Sequence, residues 1–214
     1  MSARTGGVRF SGREIQDLVV AWLALGVAFA IFFAGGGRRG VLSILGGGVV
    51  LPLGVSLLTA GLGFLLHELA HKVVAVRYGQ LAEFRADYSM LFLAVMSALV
   101  GVIFAAPGAV HHRGRLTDRE HGLIALAGPV SNLALAAVFV PVAFVGVLGG
   151  SDLLATVGGR GLGVNLFLAA FNMIPFGSLD GRTVLDWSAV AFAAVFVPSA
   201  LLVYVVVFRL GIGF

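Results

Sequence analysis

The sequence predicts an all-α polytopic membrane protein with about five or six transmembrane helices and a re-entrant or hairpin segment near 90–112. It predicts one integral-membrane domain over 1–214. Two observations carry the class. Hydrophobic residues fill 59% of the 214 positions and charged residues 11%, with a mean hydropathy of +1.05. A soluble domain carries roughly 25% charged residues and could not bury so much apolar surface. The apolar positions also gather into six runs close to the roughly 20 residues a helix needs to cross a bilayer. Gly-rich and Arg-bearing stretches at 35–40, 77–88, 107–121, 149–161 and 177–183 separate them.

The first run, Leu18–Ala34, follows Arg4, Arg9 and Arg13 and ends in Gly35-Gly36-Gly37-Arg38-Arg39. No small-residue cleavage site follows, so a retained transmembrane helix is expected rather than a signal peptide. The second run spans about Val49–Val76, with Pro52 suited to its first turn. The third, Met90–Ala106, leads into Pro107-Gly108. The fourth, about Leu123–Leu148, carries Gly128-Pro129 as start punctuation and Pro141 as a kink. The fifth covers about Leu162–Phe176. The sixth covers about Val184–Phe208 and includes Pro198. Most of the 31 glycines fit close helix packing in lipid. The absence of cysteine excludes disulfides and thiolate metal sites, so any metal must be held by His, Asp or Glu. The basic residues, one lysine among 14, form no stripe, which argues against nucleic acid as a partner.

The second run contains His67-Glu68-Leu69-Ala70-His71-Lys72. Ionisable groups in such an apolar helix are costly and mark sites. Histidines four apart share a helical face and can bind one Zn²⁺, and a glutamate beside the first can take a proton from metal-bound water. A catalytic zinc usually has three protein ligands. Asp180, just past the fifth run, is the candidate third ligand; a capping role for the last helix is its alternative, and Asp186 is the second candidate. Asn132 and Asn172 are scarce intramembrane amides, fit either to hold substrate or an oxyanion or to bond neighbouring helices. His111, His112 and His121 read as solvated loop residues. Lys72 reads as snorkelling, and Glu83, Asp87, Asp118 and Glu120 as loop charges.

Three blocks, His67-Glu68-Leu69-Ala70-His71, Gly128-Pro129-Val130-Ser131-Asn132 and Asn172-x-x-Pro175…Leu179-Asp180-Gly181, together resemble the site-2 protease family of intramembrane zinc metalloproteases. The resemblance covers about 49–185 and is to a minimal core without PDZ or CBS modules. It implies one Zn²⁺ per chain held by His67, His71 and Asp180, with Glu68 as catalytic acid/base. It also implies transmembrane proteins as substrates and a multi-pass location in the cell membrane. The chain departs from the family pattern at Gly177, where a second Pro is common, and at Arg182, where a second Gly is common.

A topological constraint follows. If all six runs crossed, the second and fifth would run in opposite directions and place the His pair and Asp180 about a membrane thickness apart. One intervening run must therefore return on its own side, and the third, with Pro107-Gly108 after it, is the one expected to do so. With the N-terminus in the cytoplasm, nine arginines then lie inside and four outside, which obeys the positive-inside tendency and puts the active site toward the cytoplasm. The stretch Gly79–Gly108 is a candidate to bind an unwound substrate strand edge to edge. Rival readings are a zinc-independent transporter or channel, an inactive relative that only binds membrane segments, and a membrane zincin with a later Glu ligand. The shortage of Glu after Glu120 disfavours the last.

Overall fold

The computed structural model describes residues 7–104 and 107–213; Arg4 and Ala106 lie outside the described residues. Helix α1 (Gly12–Phe33) starts where Ser11 accepts a hydrogen bond from the Glu14 amide. The Gly-rich stretch after it is not all connector, because α2 (Gly37–Gly47) begins inside it. The second span is continuous from Val50 to Arg77, built of α3 (Val50–Ser56), a π-helical turn at Leu57–Gly61 and α4 (Leu62–Arg77). Trp22 Nε1 donates to the Leu57 carbonyl and ties that turn to α1.

The third run does not cross. It is α5 (Tyr88–Leu99), 12 residues and so about 18 Å long. Two strands flank it, β1 (Leu81–Ala86) and β2 (Gly108–Arg113). They pair antiparallel, with Leu81 opposite Arg113 and Ala86 opposite Gly108. The pairing satisfies backbone groups that an irregular return would leave bare. Phe84 plugs the sheet into a core of Leu18, Leu25, Phe64 and Leu91 from α1, α4 and α5. Asp87 is no idle loop charge; its carboxylate caps α5 through the Met90 amide.

Helix α6 (Asp118–Leu148) opens earlier than the apolar run suggests. Thr117 and Glu120 form a reciprocal capping box that fixes the start. Gly128 and Pro129 therefore lie inside the helix, and His121 is helical. Helix α7 (Asp152–Asn172) begins about ten residues before the expected Leu162, capped by Ser151. Its glycines are contact points rather than linkers. A Cβ on Gly158 would lie 2.1 Å from the Ala143 nitrogen, and one on Gly146 2.2 Å from that of Ala155. Such close backbone approach is how helices associate in lipid, and it overrides the poor helix propensity of glycine. The last run is split. Ser188, extended at φ −155°, separates α8 (Asp180–Trp187) from α9 (Ala189–Leu202), and a π-helical stretch continues α9 to Arg209.

Five helical stretches are long and apolar enough to cross a membrane: Gly12–Phe33, Val50–Arg77, Asp118–Leu148, Asp152–Asn172 and Ala189–Arg209. The chain is an all-α polytopic membrane protein with one small hairpin. Two of the five stretches lie between the His pair and Asp180, so the chain returns to the face it left.

Candidate metal centre

His67 and His71 project from one face of α4 with their Nε2 atoms 3.0 Å apart. Asp180 Oδ2 lies 3.1 Å from Nε2 of His67 and 3.4 Å from that of His71. Bonds of 2.0–2.1 Å to a tetrahedral zinc put neighbouring donor atoms about 3.3 Å apart. The three atoms thus outline one face of such a tetrahedron. Asp180 is the first residue of α8, while the cap position belongs to Leu179, which makes no side-chain cap bond. The capping alternative for Asp180 therefore falls. Gly177, at φ +61°, turns the chain between α7 and α8. Gly181 lets α8 sit on the end of α7, since a Cβ there would lie 2.1 Å from the Met173 carbonyl oxygen.

The protons of the two imidazoles are fixed by their other nitrogens. His71 Nδ1 lies 2.7 Å from the Ile124 carbonyl oxygen, which can only accept, so Nδ1 carries the hydrogen. Asn132 donates through Nδ2 to the carbonyl of Gly63, which orients its own Oδ1 toward His67 Nδ1 at 2.6 Å. His67 is therefore protonated on Nδ1 as well. With Nδ1 hydrogens so placed, both Nε2 atoms face each other and a buried carboxylate oxygen of Asp180. Three such atoms within 3.4 Å of one another need positive charge between them, which a bound metal ion supplies to all three at once. This donor set of two imidazoles and one carboxylate suits zinc, and it is the one group of three or more such ligands close enough to share an ion among the described residues.

Gly128 completes the pocket wall. A Cβ at that position would lie 2.4 Å from His71 Nε2 and 2.5 Å from His67 Nε2. Its missing side chain leaves the space where the lone pairs converge, which is more than the packing role the sequence suggests. Glu68 is buried beside the donors and lines a cavity of about 280 Å³ with them. Asn172 and His121 also line it, as do Pro107 and the first residues of β2, Gly108–Val110.

The other expectations divide. Asn132 is fully buried, with its carbonyl on His67 and its amide on Gly63 and Asn165. Asn172 borders the cavity and donates to the Leu168 carbonyl. Asp186 is exposed and paired with Arg182 at 3.1 Å, so it is not brought to the centre. His111 and His112 belong to β2 rather than to a loop. Lys72 does not snorkel. It is 1% exposed, bonds both Glu14 oxygens at 2.5–2.6 Å and the Arg9 carbonyl at 2.6 Å, and sits 3.9 Å from the centre of the Phe10 ring. Glu14 also accepts from the Phe84 amide, which fastens β1 to α1.

Glu14 and Asn165 belong to this architecture, and sequence reasoning missed both. The available signal for Asn165 was an amide within a largely apolar stretch, while Glu14 sits in the polar first turn of α1 and offered none; their partners lie far along the chain.

Fold and donor set together define a polytopic membrane protein with a buried His-His-Asp group able to hold a metal ion and an adjacent glutamate, the equipment of a metallohydrolase. The chain is 42% identical over 193 residues, 89% of its length and 92% of the relative's, to the Methanocaldococcus jannaschii protein named "Putative zinc metalloprotease MJ0611". It is 30% identical over 146 residues, 60% of its length and 66% of the relative's, to a Bacillus subtilis protein with the same description, YwhC. No family model and no solved structure matches it. The chain belongs to the zinc metalloprotease family of the Methanocaldococcus protein and is a membrane metalloprotease.

Proposed function

We propose that the protein is an intramembrane endopeptidase of the site-2 type, cutting peptide bonds in or near transmembrane helices of other membrane proteins. The observation that carries this reading is the burial of the donor triangle and Glu68 around one cavity, on helices apolar enough to span the bilayer. His67, His71 and Asp180 would hold a single Zn²⁺. When bound, the ion supplies Lewis-acid polarisation and lowers the pKa of water toward about 7. Glu68 takes the proton of the attacking water and returns it to the leaving nitrogen. Asn172, at the cavity wall, is placed to donate toward a substrate oxygen. The β2 edge at Gly108–Val110 borders the same cavity and offers an unwound substrate backbone a strand to pair with. Its partner β1 is occupied on the other side by Glu14. Substrate helices therefore need weak helix formers such as Gly or Pro near the cut. The nine-to-four arginine distribution supports a centre that faces the cytoplasm.

The test pairs two measurements on purified protein: bound zinc, and cleavage of a model transmembrane substrate. Wild type should hold one zinc per chain and cleave. Glu68→Gln should keep the zinc and lose cleavage. Cleavage unchanged in Glu68→Gln would remove Glu68 from the chemistry, and wild type without stoichiometric zinc would favour the transporter reading.

A further inference from the structure

Asn165 lies within α7, fully buried, 13 mostly apolar and glycine residues after the start of the helix at Asp152. An amide at that depth is costly unless every polar atom is matched. Each of its groups is. Its Nδ2 donates to the Gly161 carbonyl at 2.8 Å, and its Oδ1 accepts from Asn132 Nδ2 at 2.9 Å. Room for that oxygen comes from Gly63 on α4, where a Cβ would lie 2.5 Å from it.

The direction of this chain of bonds is not free. The carbonyls of Gly161 and Gly63 can only accept, so the amide nitrogens of Asn165 and Asn132 must point at them. The Asn165 oxygen then faces Asn132, and the Asn132 oxygen faces His67 Nδ1. Reversing either amide would set donor against donor or oxygen against oxygen. A local backbone bond in α7 thus acts with the Gly63 carbonyl to hold the Asn132 amide, and through it a proton position on α4, two side chains away.

We infer that Asn165 is a positioning residue that, through Asn132, holds His67 as its Nδ1–H tautomer and so keeps Nε2 available to the metal. The inference rests on the metal-centre reading above. It assigns no contact with substrate to Asn165. Partners that orient a ligating histidine are worth about 10–100-fold in metal affinity when removed. Asn165 sits one shell further out, so the loss should lie toward the lower end of that range. The relay also joins the helix that carries the His pair to the helix whose end leads to Asp180, and the two ligand-bearing parts of the chain are thereby held in register.

The experiment compares wild type, Asn165→Leu and Asn165→Asp in detergent micelles, with zinc affinity measured by competition against a chelator. The ring nitrogens of His67 are read by ¹⁵N NMR of histidine-labelled, metal-free protein, with His67→Gln providing the assignment. Leu removes the acceptor. It should weaken zinc binding about tenfold and add the Nε2–H tautomer to the His67 spectrum. Asp, when protonated, reproduces both bonds, and it should restore the wild-type tautomer and affinity. A pure Nδ1–H signal in folded Asn165→Leu overturns the relay, as does zinc affinity equal to wild type. If the Leu variant does not fold, the Asp variant decides: an Nε2–H signal there overturns the proposal, and the wild-type spectrum supports it. The tautomer is read without metal, so failure of the relay is separable from failure of wild type to bind zinc.

Discussion

Gly128 stands against His67 so closely that a methyl group on its Cα would lie 2.5 Å from the imidazole Nε2. The position faces the metal pocket from α6, and the space a Cβ would take is the space the three donors share. Alanine is the better helix former by roughly 0.5–1 kcal/mol. Gly128→Ala is therefore expected to leave the helical fold in place while bound zinc falls to background. Metal analysis beside circular dichroism of the purified variant checks this. Full zinc occupancy in Gly128→Ala would mean that the ligands can spread without loss.

The Glu14–Lys72 pair is sealed from solvent, each side chain 1% exposed. Removing one partner of a buried pair strands a charge and costs about 3–5 kcal/mol, whereas replacing both with apolar residues of similar volume is often neutral. Lys72→Met and Glu14→Leu should each lower the unfolding midpoint sharply, and the double variant should recover most of the loss. Additive losses would show that the two side chains act independently.

Asp180 and Asp186 are six residues apart on α8 and have opposite fates. Asp180→Asn replaces a ligand oxygen with an amide and should abolish zinc retention. Asp186→Asn breaks only an exposed pair with Arg182, a change of about 0–1 kcal/mol, and should leave both metal and stability intact. Zinc content of the two variants, measured in parallel, decides which carboxylate serves.

Orientation is open to direct labelling, because the chain has no cysteine of its own. Cysteine introduced at Arg115, before α6, and at Asp152, at the start of α7, falls at exposed positions at opposite ends of the α6–α7 pair. An impermeant maleimide added to intact cells should reach Asp152→Cys and not Arg115→Cys. The reverse pattern would put the metal centre at the outer face.

The parts of the centre legible in the sequence are those set by local periodicity. His67 and His71 share a face because a helix repeats every 3.6 residues, and no tertiary knowledge is needed to see it. The return of the third run was legible from parity alone. The strand β1 was not, because Leu81-Ala82-Glu83-Phe84-Arg85-Ala86 buries only Phe84, and one buried position gives no alternation to read. The start of α7 was hidden for a related reason: glycines at 158, 159, 161 and 163 look like a connector until the neighbouring helix is placed against them. Lys72 was misread because its partner is 58 residues away. The same holds for Asn165, whose role exists only once α4, α6 and α7 are together.

The shortness of α5 has a bearing on how such a chain can grow. Between Arg77 and Asp180 the polypeptide has two membrane-spanning stretches, and the halves of the ion cradle meet only because that count is even. Extra passes could be spliced into this interval in pairs without parting them. One additional pass would carry the aspartate to the opposite leaflet, however well each helix folded by itself.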